Sequence, residues 1–214
     1  MLHTKGKSRF IWVGLLACGI ASLVFFVSIL AFGTGSSLFE NLPEGVTAVD
    51  PPVQLNDFSL TNQQDKPVHL RDLEGKDTLI TFGYTHCPDV CPINLANFKQ
   101  VKKNLGENAS QVNFVFFSVD GKRDTPEVLA KHLALFDPGF IGITGPEAAV
   151  RPVTQQFSVY FEIGVPTPGQ TDYFVSHTAS SFLVDKHGKL VRVYAYQTSA
   201  DVMAADILQN LKAG

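Results

Sequence analysis

The sequence predicts an α/β domain, in which a central mixed sheet is flanked by helices, attached to an N-terminal transmembrane helix. Three observations lead to this fold class. The first is an uncharged, apolar run over residues 10–33. The second is a series of buried-strand patterns that alternate with helical patterns. The third is a late hairpin pattern followed by one more helix, an order typical of mixed rather than purely parallel sheets.

The apolar run over residues 10–33 is long enough to cross a membrane as a helix. At about 1.5 Å of rise per residue, it covers a hydrocarbon core of about 30 Å. Lys5, Lys7 and Arg9 precede the run and no basic cluster follows it. The positive-inside rule therefore places a basic leader, residues 1–9, in the cytoplasm and the remainder of the chain outside it.

Two cleaved forms are the alternatives to a retained anchor. A cleaved signal peptide has an apolar region of about 7–15 residues, and this run is longer. Cys18 weakly resembles a lipoprotein cleavage site, but apolar and small residues continue well beyond it. The leader lacks the extended Arg- and Ser-rich character of a transit peptide. We therefore expect a single-pass protein of a bacterial inner membrane, with its C-terminal domain in the periplasm.

Composition indicates one globular domain after the anchor. Hydrophobic residues make up 45% of the 214 residues and charged residues 17%, below the roughly 25% of soluble domains, because the anchor dilutes the charge. After the leader, 14 basic residues are outnumbered by 20 acidic ones, which argues against nucleic-acid binding. Turn-forming residues over 34–52 predict a linker, so the domain is expected over residues 53–214.

The elements of this domain follow from their apolar patterns. Buried-strand patterns at 78–84 and 112–119 are each followed by a helical pattern, and Thr125 and Pro126 are typical of a helix start. In chain order, the sequence predicts strands 58–61, 68–70 and 78–84, helix 92–106, strand 112–119, a helix from 125, strand 140–144, helix 147–157, a hairpin turning at 186–189 and helix 200–211. This order fits a thioredoxin-like arrangement with a right-handed crossover in its first unit.

Two cysteines, Cys87 and Cys91, lie where the first core strand leads into its helix. Ligands of open α/β sheets usually bind beyond the carboxyl ends of the strands. A spacing of four residues allows a disulfide, a metal ion held between two thiolates, or a redox pair. The Cys-x-x-Cys pair of thioredoxins has one fewer intervening residue, which weakens the redox interpretation. A disulfide closing so short a loop removes little chain entropy, so stabilisation alone explains the pair poorly.

Two thiolates suit a soft ion, above all Cu(I), and a third donor would complete a trigonal site. His177 is the best-placed candidate, because it precedes a strand pattern at 181–184, where a loop faces the cysteines in a thioredoxin-like fold. That loop ordinarily carries a cis-proline, and no proline follows Gly169 here. The remaining histidines lie in the leader, beside Cys87, on a helix or in hairpin turns: His3, His86, His132, His69 and His187.

Four motifs of the domain occur in a fixed order. They are Phe82-Gly83-Tyr84-Thr85-His86-Cys87-Pro88-Asp89-Val90-Cys91-Pro92, Ser118-Val119-Asp120 followed by Arg123-Asp124-Thr125-Pro126, Gly142-Ile143-Thr144-Gly145, and Asp172-Tyr173-Phe174-Val175-Ser176-His177-Thr178. Together they resemble the Sco/SenC proteins, from about residue 53 to the end of the chain. The resemblance implies a membrane-anchored copper chaperone of thioredoxin-like fold, acting in assembly of the binuclear copper centre of cytochrome c oxidase.

Carried over by position, the resemblance implies that Cys87, Cys91 and His177 bind copper, as Cu(I) and also as Cu(II). It implies that Asp120 orients a ligand or contacts the partner. The implied partners are a copper-accepting subunit of the oxidase and an upstream copper donor. The chain departs from the family pattern at Ser176, where aspartate is frequent, and at Gly121, where proline is frequent; neither change removes a ligand.

The main prediction is therefore a metal-transfer protein rather than an enzyme. The alternative is a thiol–disulfide oxidoreductase that reduces the cysteines of the copper acceptor, with one thiolate attacking and the other resolving the mixed disulfide. Both activities can coexist in one protein, because oxidase assembly needs reduced acceptor thiols as well as copper. A peroxidase is a further alternative, in which Thr85 and Arg151 would activate the cysteine.

Overall fold

The computed structural model describes residues 42–166, 168–169 and 172–213, without the side chain of residue 213. The predicted leader, the anchor over residues 10–33 and the first part of the predicted linker lie outside the described residues. Within the part of the chain that the structure describes, no helix has the length and apolar character needed to span a bilayer.

The described part of the chain contains ten strands, four α-helices and two short 3₁₀ helices, Leu70–Leu73 and Gly106–Gln111. The strands are β1 (Val46–Gln54), β2 (Ser59–Asn62), β3 (Pro67–His69), β4 (Asp77–Gly83), β5 (Val112–Ser118), β6 (Ile141–Thr144), β7 (Phe161–Ile163), β8 (Val175–His177), β9 (Ser181–Val184) and β10 (Lys189–Tyr194). The α-helices are α1 (Val90–Leu105), α2 (Pro126–Ala134), α3 (Glu147–Gln156) and α4 (Ala200–Ala213).

Eight of these strands form one mixed sheet, in the order β1-β10-β9-β4-β5-β6-β2-β3. The central strands β4, β5 and β6 are parallel, and the strands on either side of them pair antiparallel. β7 and β8 form a separate two-stranded antiparallel sheet. The mixed sheet confirms the predicted α/β fold class and its thioredoxin-like arrangement.

The core lies on both faces of the central strands. On one face, Phe98 of α1 packs edge-on against Phe114 of β5, with 6.1 Å between ring centroids, and α1 packs against α4. On the other face, Phe82 of β4 contacts Phe117 of β5 and also Phe157, which follows α3. Alternate strand residues point to opposite faces, so consecutive apolar residues in β4 and β5 serve both layers.

Strand β1 differs from the sequence prediction. Residues 46–52, expected as part of a linker, belong to this strand, which pairs antiparallel with β10. The register shifts between Ala48 and Val53, on either side of Pro51 and Pro52. Proline donates no ladder hydrogen bond and is tolerated mainly on edge strands or at bulges. The prolines that suggested a linker are thus accommodated in an irregular edge strand.

Candidate metal centre

The cysteine loop connects the end of β4 to the start of α1. Cys87 lies in this loop, where its backbone N–H donates to the carbonyl oxygen of Tyr84 over 3.2 Å. Cys91 is the second residue of α1. Pro92 follows within the first helical turn, where the missing N–H removes no intrahelical hydrogen bond. The two cysteines therefore approach because the loop folds over the helix N-terminus, and only Cys91 is helical.

His177 reaches the cysteine pair from the last residue of β8. Its Nε2 atom lies 3.4 Å from the Sγ atom of Cys91. Both sulfur atoms and a ring nitrogen of His177 lie within 4.8 Å of one another. Cys91 is 1% exposed, whereas Cys87 and His177 are half-buried. The structure thus brings three of the predicted site residues together, with one deeply buried donor and two donors nearer the surface.

A hydrogen bond from Nδ1 sets the orientation of the His177 ring. Nδ1 lies 3.0 Å from the carbonyl oxygen of Thr178. A carbonyl oxygen only accepts hydrogen bonds, so Nδ1 carries the proton of the neutral ring and Nε2 keeps its lone pair. The ring also meets the edge of Tyr84, with 6.0 Å between centroids. The free lone pair therefore faces the cysteines, as a metal ligand requires.

The two thiols have very different acidities. The hydrogen bond from the Cys91 thiol lowers the pKa of Cys87 to about 4; burial opposes this effect, and the backbone N–H groups of Asp89 and Cys91 reinforce it. The same thiol–thiol contact, together with burial, raises the pKa of Cys91. The contact therefore favours the thiolate form at Cys87 and the thiol form at Cys91. Binding of a soft cation between the sulfur atoms displaces the Cys91 proton.

Asn94 connects the helix that carries Cys91 to the segment that carries His177. This buried residue of α1 donates from its side-chain amide to the carbonyl oxygen of Ala179, over 3.0 Å, and to the hydroxyl of Thr81, over 3.2 Å. Ala179 follows His177 by two residues, and Thr81 is part of β4. The helix that carries Cys91 is therefore tied both to the central sheet and to the segment that carries the histidine.

Asp120 is connected to the three donors through neighbouring side chains. It is 0% exposed, and its carboxylate accepts from Nε of Arg123 over 2.5 Å and from the hydroxyl of Tyr173 over 2.8 Å. Arg123 in turn lies 5.5 Å from the ring of Tyr84, which contacts His177. Complete burial places this carboxylate among its hydrogen-bonding neighbours, and its expected role in orienting a ligand or contacting the partner stays a prediction. The sequence motifs contain Arg123, Tyr173 and Tyr84, but motif position alone assigns them no role.

The two residues that a peroxidase mechanism would use are engaged elsewhere. The hydroxyl of Thr85 donates to Asp124 over 2.6 Å. Arg151 forms an ion pair with Glu147 one turn earlier on α3 and lies over the ring of Phe161. Neither arrangement directs a hydroxyl or a guanidinium at a cysteine sulfur, so the geometry does not favour a peroxidase.

The fold and the site together define a class of protein: a thioredoxin-like domain with a Cys-Cys-His group at the carboxyl end of its central strand, chemically suited to a soft metal ion. Comparison with known families gives the assignment. The chain belongs to the SCO1/SenC family, whose model matches residues 48–212. This match confirms the resemblance inferred from the four motifs.

Individual relatives agree with the family assignment. The SCO2-like protein of Rickettsia prowazekii is 33% identical over 155 residues, which cover 72% of this chain and 74% of that protein. The structure of Bradyrhizobium japonicum ScoI with copper bound shares 39% identity and superposes with a TM-score of 0.67, over 73% of this chain and 99% of the other. A SCO1/SenC family lipoprotein of Bacillus anthracis shares 29% identity, with a TM-score of 0.64, over 76% and 98% of the respective chains.

Proposed function

We propose that this protein is a copper chaperone that binds one copper ion through Cys87, Cys91 and His177. In this proposal, the ion is passed to the copper-accepting subunit of cytochrome c oxidase. The observation that carries the proposal is the convergence of two sulfur atoms and an imidazole nitrogen within 4.8 Å. The copper-bound relative of Bradyrhizobium japonicum supports the choice of metal. Two thiolates and one imidazole favour Cu(I), and the imidazole also suits Cu(II).

Transfer by ligand exchange requires no covalent chemistry on the acceptor. Buried Cys91 anchors the ion, whereas half-buried Cys87 and His177 leave the ion accessible from the surface. An incoming thiolate of the acceptor forms a bond to copper as one of these two ligands leaves, so the ion stays coordinated throughout. An upstream donor loads the site by the reverse sequence of exchanges. Loading requires the reduced, dithiol form, because a disulfide offers no thiolate.

Thiol–disulfide exchange is a second candidate function, supported by the lowered pKa of Cys87. The Cys87 thiolate attacks one sulfur of an acceptor disulfide and forms a mixed disulfide with it, while the other acceptor sulfur leaves as a thiolate. Cys91 then resolves the mixed disulfide and releases the second thiol. The acceptor is reduced by two electrons, and Cys87 and Cys91 become a disulfide. The imidazole is not a reactant in this exchange and contributes least among the causes of the lowered pKa of Cys87. His177→Ala should therefore impair copper binding more than thiol–disulfide exchange.

A competitive Cu(I) titration tests the proposal. The full chain is titrated in its reduced form, in its disulfide form and as His177→Ala, with His187→Ala as the matched control because His187 is an exposed turn residue. We expect one tight equivalent in the reduced wild type and in His187→Ala, weaker binding in His177→Ala, and none in the disulfide form. Absence of binding in the reduced wild type would reject the chaperone and leave the cysteines as a redox pair.

We further propose that the domain is held at the outer face of a bacterial inner membrane by the anchor over residues 10–33. The uncharged run and the basic leader support this topology, and the Bacillus anthracis relative is itself a lipoprotein. Protease treatment of intact cells and of spheroplasts tests it. Digestion of the domain only after the outer barrier is opened supports a periplasmic location, whereas protection in spheroplasts contradicts it.

A further inference from the structure

The segment that joins β5 to α2, residues 119–125, contacts both halves of the candidate metal centre; we call it the β5–α2 turn. On the cysteine side, the contact is made by Asp124, which is fully buried. Its carboxylate accepts from the backbone N–H of Thr85 over 2.9 Å, from the hydroxyl of Thr85 over 2.6 Å and from Ser118 over 2.6 Å. Thr85 precedes Cys87 by two residues, so Asp124 fixes the entry to the cysteine loop.

On the histidine side, the contact is made by Arg123 and Asp120. The guanidinium of Arg123 lies 3.6 Å from the ring centroid of Tyr173 and 5.5 Å from that of Tyr84. Asp120 accepts from both Arg123 and Tyr173. Tyr173 stands four residues before His177, at the approach to β8, and Tyr84 packs edge-on against the His177 ring. Arg123 therefore contacts both the tyrosine that packs against the imidazole and the tyrosine that precedes its strand.

His177 needs such contacts because of its place in the fold. Its strand, β8, pairs with β7 in a sheet of their own rather than with the eight-stranded sheet. Cys91 and His177 are separated by 86 positions in the sequence. The main sheet holds this segment only from Ser181, which pairs with Thr81 of β4 four residues after His177, and Asn94 ties Ala179 to α1. The hairpin before these two points is held by side-chain contacts.

We infer that the β5–α2 turn is the positioning element of the copper site, an inference that rests on the proposed function. Asp124 holds the cysteine loop, and the Asp120–Arg123–Tyr173 cluster holds the hairpin that carries His177. Because both sets of contacts arise from one short turn, that turn, together with the Asn94 contacts, sets the separation between the sulfur atoms and the imidazole. Groups that orient metal ligands typically change metal affinity by about 10–100-fold when they are removed.

The test compares two hydroxyl deletions that are chemically alike. Tyr173→Phe removes the hydrogen bond to Asp120, and Tyr194→Phe removes a 2.6 Å hydrogen bond to the buried carboxylate of Asp206 in α4. We expect Tyr173→Phe to weaken Cu(I) binding by about tenfold or more and to shift the sulfur-to-copper charge-transfer absorption of the Cu(II) form. Tyr194→Phe should retain wild-type affinity and spectrum, even where it lowers the unfolding temperature.

A third variant examines the cysteine side without metal. Thr85→Val removes the hydroxyl donor to Asp124 but preserves side-chain shape and the backbone N–H. We expect Thr85→Val to change the alkylation rate of Cys87 in the metal-free protein more than Tyr173→Phe does, and to weaken Cu(I) binding as well. This rate is independent of copper and depends on the thiolate fraction and exposure of Cys87, both of which change when the cysteine loop moves.

The outcomes separate this inference from the proposed function. Failure of the wild type to bind copper would reject the proposed function itself. Wild-type copper affinity in both Tyr173→Phe and Thr85→Val would overturn the positioning role while leaving the chaperone intact. Equal losses in Tyr173→Phe and Tyr194→Phe, or an unfolded Tyr173→Phe, would also overturn it, because the cluster would then act only on overall stability.

Discussion

Gly83, the last residue of β4, has no room for a side chain. A Cβ atom at this position would lie 2.6 Å from the Sγ atom of Cys91 and 3.0 Å from the ring of Phe116. Non-bonded heavy atoms pack at about 3.5–4.0 Å, so Gly83→Ala displaces the sulfur by about 1 Å or shifts the strand. Overpacking of this kind costs about 1–3 kcal/mol. In a domain of this size, the loss corresponds to a decrease of roughly 2–12 °C in unfolding temperature.

Because the displaced atom is a proposed ligand, Gly83→Ala should also weaken Cu(I) binding. Urea unfolding of the metal-free protein and a Cu(I) competition titration measure the two effects separately. Gly139→Ala is the control, because its Cβ would meet only the movable ends of Asp137 and Lys102, and it should leave copper affinity unchanged. Wild-type stability and wild-type copper affinity in Gly83→Ala would refute the packing described for Cys91.

Three other outcomes follow from the structure. Burial raises the pKa of Asp77 in the folded state above its ordinary value of 3.8, so the folded state favours the protonated acid. The wild type should therefore lose stability as the pH rises from 3.8 through this raised pKa, whereas Asp77→Asn should not. Identical pH profiles of the free energy of unfolding in urea would contradict this. Thr125→Ala removes the acceptor of the 3.3 Å hydrogen bond from the N–H of Val128 and should lower the free energy of unfolding by about 1 kcal/mol, with Thr125→Ser close to wild type. A Cu(I) chelator should return the unfolding temperature of the copper-loaded protein to its metal-free value, because only the folded state brings the three ligands together. An unfolding temperature that does not change on chelation would argue against copper binding to the folded state.

The parts of the fold that the sequence predicts well are those with long, regular patterns. Strands expected at 78–84 and 112–119 occur as β4 (Asp77–Gly83) and β5 (Val112–Ser118), because continuous apolar runs are the signature of strands buried on both faces. The start of α2 at Pro126 follows from local chemistry alone: Thr125 caps the helix, and proline fits its first position. Such signals need no knowledge of the tertiary structure.

The parts that the sequence does not predict depend on distant partners. β7 and β8 have three residues each, too few to establish a two-residue period, and β1 contains two prolines. Within the site, the cysteine pair stands out as a motif, and His177 is predicted from the expected fold and the family resemblance. The contact between Tyr173 and Asp120 spans 53 positions and leaves no local pattern, so only the structure brings these residues together.

The central claim is that one copper ion is held by two sulfur atoms and one imidazole. X-ray absorption at the copper edge of the Cu(I)-loaded protein tests this claim most directly, because sulfur and imidazole neighbours scatter differently. The account predicts two sulfur ligands and one imidazole in the wild type and in His187→Ala, and loss of the imidazole signal in His177→Ala. A wild-type spectrum without imidazole, or an imidazole signal that persists in His177→Ala, would contradict it.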